Sequence, residues 1–206
     1  LLMAMAPALG DRVPAQSQGT MNNLTVGGID PRTGEMFAYY ETMGGGMGAG
    51  SERAGLSGVH VHMSNSLNTP IEALEHAYPL RVVRYQICRG TGGRGLHHGG
   101  DGLRRELLLL ADADVSLLTE RREYGPAGVN GGEAGEPGTN LLRTGWEERT
   151  LPAKITFRAN AGDIISIRSP GGGGWGRALP SDREMGSRTG TGFEAELAMP
   201  GPEPAG

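Results

Sequence analysis

The sequence predicts a β-rich α+β fold, and three observations carry that expectation. Glycine supplies 37 of the 206 residues, while hydrophobic residues make up 37% and aromatic ones 5%. That balance suits a chain of many tight turns, since the glycines follow no collagen-like or repeat period. Short alternating or β-branched runs recur through the second half at the spacing of a sandwich or barrel. Helical signals are confined to residues 1–9 and 70–78. The expected organisation is a mixed α/β segment over 1–79, an antiparallel β-sandwich or barrel-like region over 80–176, and a disordered tail rich in Pro, Gly, Ser and Glu over 177–206.

Residues 1–9 are apolar with no basic stretch before them, too short to span a bilayer and unlike a signal peptide. They read as the end of an amphipathic helix, and the chain as the C-terminal part of something longer. Residues 20–26 and 35–42 form an expected strand pair, joined by a turn with Asp30-Pro31 and Thr33-Gly34. Both faces of 35–42 are partly apolar, which predicts an interior strand. Residues 44–50 form a mobile or ligand-hugging glycine loop. Strands are expected at 80–88, 103–110, 115–120, 139–143, 147–151, 154–158 and 163–168, separated by long glycine-rich loops at 90–102 and 125–138.

The segment 58–79 carries the densest chemistry. Val59-His60-Val61-His62-Met63 alternates, so on a strand His60 and His62 share one face and the apolar residues the other. Thr69-Pro70-Ile71-Glu72 has the form of a capping box with proline at the first helical position, and Pro79 ends the helix. Two imidazoles, the polar run Ser64, Asn65, Ser66 and Asn68, and a helix N-terminus would then converge on a carboxylate, phosphate or amide carbonyl. A metal at His60 and His62 would need a third ligand from Glu41, Glu75 or His76 that the sequence does not fix. Hydrogen-bonded imidazoles lining a groove are the favoured reading, and no metal ligand is assigned.

Other features exclude functions. A net charge of −4 argues against an electrostatic nucleic-acid binder. The single cysteine, Cys88, rules out a disulfide framework and fits a reducing, cytoplasmic compartment. Gly90-Thr91-Gly92-Gly93-Arg94-Gly95 matches a dinucleotide fingerprint but lacks the helix that must follow, so a wide turn is expected. His97-His98 should be exposed in their loop. Neither Ser17 nor Ser57 sits in a nucleophile elbow, and no Walker A sequence is present. Glu120-Arg121-Arg122-Glu123 reads as a solvated strand end of little energetic weight.

Several blocks in order resemble the hydantoinase B/oxoprolinase family. They are Ser17-Gln18-Gly19-Thr20-Met21-Asn22-Asn23, Tyr39-Tyr40-Glu41-Thr42-Met43-Gly44-Gly45-Gly46, and Gly58-Val59-His60-Val61-His62-Met63-Ser64-Asn65-Ser66. Thr69-Pro70-Ile71-Glu72-Ala73-Leu74-Glu75, Gly99-Gly100-Asp101-Gly102, Leu118-Thr119-Glu120-Arg121-Arg122, Gly131-Gly132-Glu133-Ala134-Gly135-Glu136-Pro137-Gly138 and Pro170-Gly171-Gly172-Gly173-Gly174-Trp175-Gly176 continue the series. The resemblance implies a B subunit of an ATP-dependent enzyme that opens a cyclic amide such as a hydantoin or 5-oxoproline. It also implies a hydantoinase A-like partner that binds ATP, and a divalent metal (Mg, Mn or Zn) in the full complex but not on this chain. It further implies that an N-terminal half of the B subunit is missing here, that no nucleic acid or membrane is involved, and that association into an oligomer is expected. Within the chain His62 and Asn65 are the expected groove-lining residues, supported by His60 and Glu41. The competing readings are a subunit of a related ketone carboxylase and a non-catalytic assembly module.

Overall fold

A computed structural model describes residues 2–62, 64 and 66–178; the tail expected over 177–206 lies outside the described residues from 179 onward. Helix α1 (Leu2–Leu9) is followed by a 3-10 turn (Gly10–Arg12) and then by strands β1 (Asn23–Ile29) and β2 (Met36–Glu41). Helix α2 (Ile71–Ala77) leads into β3 (Leu80–Cys88), β4 (Gly102–Leu109), β5 (Ala113–Leu118), β6 (Thr139–Thr144), β7 (Glu147–Leu151), β8 (Lys154–Ala159) and β9 (Ile164–Arg168). All strand pairings are antiparallel. They build a four-stranded sheet, β2-β1-β5-β8, and a five-stranded sheet, β3-β4-β9-β6-β7. No helix among the described residues is long and apolar enough to cross a membrane.

Alternation decides which face of each sheet is buried. Leu24 and Val26 of β1 and Val115 and Leu117 of β5 meet Leu107 and Leu109 of β4 and Ile165 and Ile167 of β9 in one core. Leu74 of α2 joins the same core, so the helix is held by a single fully buried side chain. Strands from both sides of residue 79 share the four-stranded sheet, because β1 pairs with β5 along its length.

Several local expectations change. Residues 20–22 do not enter the first strand: Asn22 has φ 47° and its N–H turns back to Thr20 Oγ1 (3.2 Å). β2 is an edge strand, not an interior one, and leaves Met36 and Tyr40 exposed. The alternation at 59–62 does not make a strand, and Met63 lies outside the described residues. Val59 forms one isolated bridge to Gly45, after which Ser64 Oγ takes the Val61 N–H (3.3 Å) and also donates to the Val61 carbonyl (3.1 Å). A side chain that supplies both bonds competes with a sheet ladder and wins here. The capping box does not form either, since Pro70 is the N-cap in extended conformation and makes no side-chain cap bond.

The largest departure concerns glycine. The runs expected to be turns and mobile loops instead pack backbone against backbone around residues 170–176. Gly171 N–H donates to the Glu136 carbonyl (3.0 Å) and Gly174 N–H to Glu133 (2.9 Å). Gly172 N–H donates to Gly100 (2.8 Å) and Trp175 N–H to His97 (2.9 Å), while Gly173 N–H reaches Gln16 (2.8 Å). Amides three apart thus return to the same neighbour in two of the three registers, 171 with 174 and 172 with 175, a spacing that matches the polyproline-II period, while Gly176 N–H turns to Val129 (2.9 Å). Carbonyls of the same segment accept from Gly46, Ala49, Gly93 and Val129. The 44–50 loop is therefore a buried part of this bundle, and the 90–102 loop folds against it.

Glycine is required here by space and not by dihedral freedom. A Cβ on Gly172 would overlap the Met47 carbonyl and one on Gly46 would overlap the Gly100 carbonyl, while Gly171 abuts Thr91 and Gly173 abuts Ala127 in the same way. The contrast with Gly34 is direct, since that turn residue has φ 76° and nothing within 4 Å of a built Cβ. Gly172→Ala is expected to cost more than about 3 kcal/mol of unfolding free energy, because backbone must move. Gly34→Ala should cost only about 1–2 kcal/mol for a left-handed L-residue. Urea denaturation of the two variants measures the difference, and equal costs would refute the packing account.

Candidate active site

The end of β2 brings a carboxylate into the apolar interior. Glu41 and Arg105 are 4% and 1% exposed, with Arg105 Nε 3.0 Å from Glu41 Oε2. That distance is an ion-pair contact without hydrogen-bond alignment, since neither atom has an aligned partner. Glu41 Oε1 accepts the Thr69 N–H (3.0 Å), and Arg105 Nη2 donates to the Thr69 carbonyl (3.3 Å). The arginine also lies over the Tyr85 ring, 4.7 Å from its centroid. Glu41 thereby occupies the approach to helix α2 that Thr69 was expected to cap.

One cleft opens beside this pair and a second adjoins it. The first, of about 320 Å³, is lined by Met21, Tyr40, Glu41, Ser64, Ser66 and Thr69 among others. The second, of about 310 Å³, is lined by Gly19, Thr20, Met21, Val61, His62 and Ser64. Met21 and Ser64 border both. Each cleft alone is at the lower end of the size range for small-molecule sites, roughly 300–1,000 Å³.

The predicted residues divide between these clefts. Glu41 lines the first and His62 the second. His60 and His62 do not share a strand face, because the chain turns and His62 takes φ 55°. His62 is exposed, whereas both ring nitrogens of His60 are buried with no partner among the described residues. The partners of Glu41 are Arg105 and Thr69, not His60. Asn65 lies outside the described residues. His97 is half-buried beside Trp175, at 6.4 Å between ring centroids, and only His98 is exposed as expected.

A polar network anchors the 18–22 loop that walls both clefts. Gln18, Asn22, Asn140 and Thr119 are all buried. Asn22 Nδ2 donates to Gln18 Oε1 (2.7 Å), Arg122 Nη2 donates to Asn22 Oδ1 (2.9 Å) and Asn140 Oδ1 (2.8 Å), and Asn140 Nδ2 donates to Thr119 Oγ1 (2.9 Å). Arg122 is therefore a structural tie and not a solvated strand end. Burial lowers its pKa to about 10, against the pull of Glu120.

Arg105 and Arg122 were missed at the sequence level. The signal for Arg105 was its place in Arg104-Arg105-Glu106, where alternation with the core residue Leu107 turns it inward. Among the described residues no three His, Cys, Asp or Glu side chains converge to hold a metal. The donor set at 60–62 diverges, so it does not fit a metal held by this chain alone, and no step is derived through one.

Known proteins share this architecture. The Hydantoinase B/oxoprolinase family profile matches residues 1–178. 5-Oxoprolinase 1 of Arabidopsis thaliana is 47% identical over 163 residues, which are 79% of this chain and 12% of that protein. The B subunit of a putative D-/L-hydantoinase from a Pseudomonas species is 33% identical over 181 residues, covering 86% of this chain and 31% of its own. The crystal structure of the ATP-dependent caprolactamase from Pseudomonas jessenii superposes with TM-score 0.74 at 25% identity, over 91% of this chain and 35% of that one. The chain thus spans about a tenth to a third of the length of the proteins it matches.

Two tests address the buried cluster. Arg105→Leu strands the Glu41 charge and should cost about 3–5 kcal/mol in urea unfolding. Burial, and then the Glu41 charge, push the Tyr39 phenol well above its ordinary value of 10.0. The unfolded chain ionises this phenol first, so stability is fully present below the ordinary tyrosine value and is lost as pH rises beyond it. Tyr39→Phe should therefore shallow the alkaline loss of stability while leaving neutral stability within about 1 kcal/mol. An unchanged alkaline slope would count against the burial argument.

Proposed function

Because the chain belongs to the hydantoinase B/oxoprolinase family, we propose that it forms one wall of a composite site for ATP-dependent hydrolytic ring opening of a cyclic amide such as a hydantoin or 5-oxoproline. The observation that carries this reading is the pair of adjoining clefts, with Glu41 in one, His62 in the other, and Ser64 shared. The names 5-oxoprolinase, D-/L-hydantoinase and ATP-dependent caprolactamase all denote proteins of cyclic amides.

An unstrained lactam is a poor electrophile, and ATP makes it reactive by turning the amide oxygen into a phosphate leaving group. No phosphate-binding loop of the Walker type is present in the sequence, so ATP binding is assigned to a hydantoinase A-like partner, together with a divalent metal of the full complex. The residues of this chain then position water and the acyl carbon and offset the developing oxyanion. His62, exposed at the cleft, takes a proton from the attacking water as the C–O bond forms and returns it to the ring nitrogen as the C–N bond breaks, leaving an acyl phosphate that water cleaves to carboxylate and inorganic phosphate; imidazole is suited to that proton transfer near neutral pH. Asn65 binds the carbonyl or phosphate oxygen through its amide. Glu41 is a positioning residue, its oxygens directed at Thr69 and Arg105. His60 supports the segment as its second imidazole. The segment before residue 79 and the β-rich remainder act as parts of this wall, a further segment of a B-type subunit supplies the rest, and a cytoplasmic setting belongs to the same reading.

The test is ATP-dependent release of ring-opened product from 5-oxoproline and hydantoin, by the chain combined with a hydantoinase A-like protein and the remaining segment of the B subunit. Full activity is expected only with all three. His62→Ala should lower kcat by about a hundredfold without loss of folded signal, and Asn65→Ala should raise KM. Unchanged ring opening by His62→Ala would remove the catalytic assignment. Bicarbonate-dependent consumption of a ketone by the same mixture would assign the site to carboxylation instead.

A further inference from the structure

The outer face of the five-stranded sheet concentrates arginine on a chain that is acidic as a whole. With Leu107 and Ile165 facing the core, the register turns Arg81, Arg84, Arg104, Arg143 and Arg168 outward. Two carboxylates, Glu106 and Glu148, share that face, and Glu136 reaches Arg168 from a flanking loop at 3.5 Å. The whole chain carries a net charge of −4.

Glu106 sits at the centre, 0% exposed, and three arginines from three strands converge on it. Arg104 Nη2 is 2.6 Å from Oε1, Arg143 Nη1 3.2 Å from Oε1, and Arg84 Nε 3.2 Å from Oε2. Ser166 Oγ donates to Oε1 (3.1 Å). Glu148 also takes Arg143 Nε at 2.6 Å, but Glu106, Glu148 and Glu136 set three negative charges against the five arginines Arg81, Arg84, Arg104, Arg143 and Arg168, so positive charge remains on the outside. Arg104 also stands directly across from Arg168 in the ladder, a like-charge pair that destabilises a sheet on its own.

We propose that this face is a docking surface for the carboxylate-bearing face of a partner protein. Charge complementarity argues for it, and so does preorganisation. Glu106 fixes the arginine forks before a partner arrives, which lowers the ordering cost of binding. Between the arginines Leu108, Leu141 and Ile164 are only half-covered, giving the mixture of arginine and apolar surface found in protein interfaces. A carboxylate buried at the centre of the patch disfavours polyphosphate, and the overall negative charge opposes a nucleic-acid partner.

Binding of a fluorescein-labelled glutamate decapeptide, read by anisotropy, tests the proposal with the full chain. The wild type should bind, more weakly as salt rises. Arg81→Glu combined with Arg84→Glu, both exposed side chains, should weaken binding at least about tenfold. Arg158→Glu, an equal charge change per residue on the four-stranded sheet, should leave it unchanged. No binding by the wild type, an equal loss in the Arg158→Glu control, or tighter binding of an oligothymidylate of the same length would overturn the proposal.

Discussion

Backbone-to-backbone contact around residues 170–176 is the constraint on which the remaining architecture depends. Two sheets with a modest apolar core need their connections held, and here the connections hold one another. Segments near Gln16, Gly46, Gly93, Gly100, Val129 and Glu133 each donate to or accept from the central chain. Hydrogen bonds satisfy the buried amides, and the absence of side chains lets the chains approach. The entropy cost of ordering so many glycines is high, so the arrangement persists only because every neighbour contributes. A glycine count that suggested flexibility belongs instead to a rigid region.

The candidate site grows out of that scaffold. The bundle fixes Gly45 and hence the bridge to Val59, from which the 60–69 segment departs across the end of β2. Below it the buried Glu41–Arg105 pair ties β2, β4 and the start of α2 together. Such a pair adds little net stability, because desolvation offsets attraction. It does fix geometry, since among the described residues neither charge has another charged partner to choose. The Gln18–Asn22–Arg122 network does the same for the opposite wall. The clefts are thus bounded by polar groups that cannot relax independently.

Much of the fold was legible in the sequence. Strand-like runs around Val26, Leu107, Val115 and Ile165 identified strands, and one face of each is covered by the core. Pairing of the strands expected at 20–26 and 35–42 followed from turn chemistry, although they run over 23–29 and 36–41, and Asp30 does accept the Arg32 N–H at 2.9 Å. Contacts made without side chains were not legible. The bundle has no hydrophobic period, and nothing in a glycine run distinguishes a steric requirement from a turn. The strand expected at 59–63 failed for a related reason: Ser64 supplies the local bonds that a partner strand would have supplied, and pattern alone does not show that competition. Glu41 was legible as a candidate, but its dependence on Arg105 arises from a strand far along the chain.

The position of residues 170–176 in the chain also governs how the protein can be made. The central thread of the bundle follows every segment it binds, from Gln16 to Glu136. Those segments have little sequence-local structure of their own, so they must wait for a partner synthesised after them. Loop closure over such separations makes assembly slow, and during that interval the sheet edges and half-covered arginine face stay open to other chains. A bundle whose central thread is made after the segments it ties depends on what shields their surfaces until then.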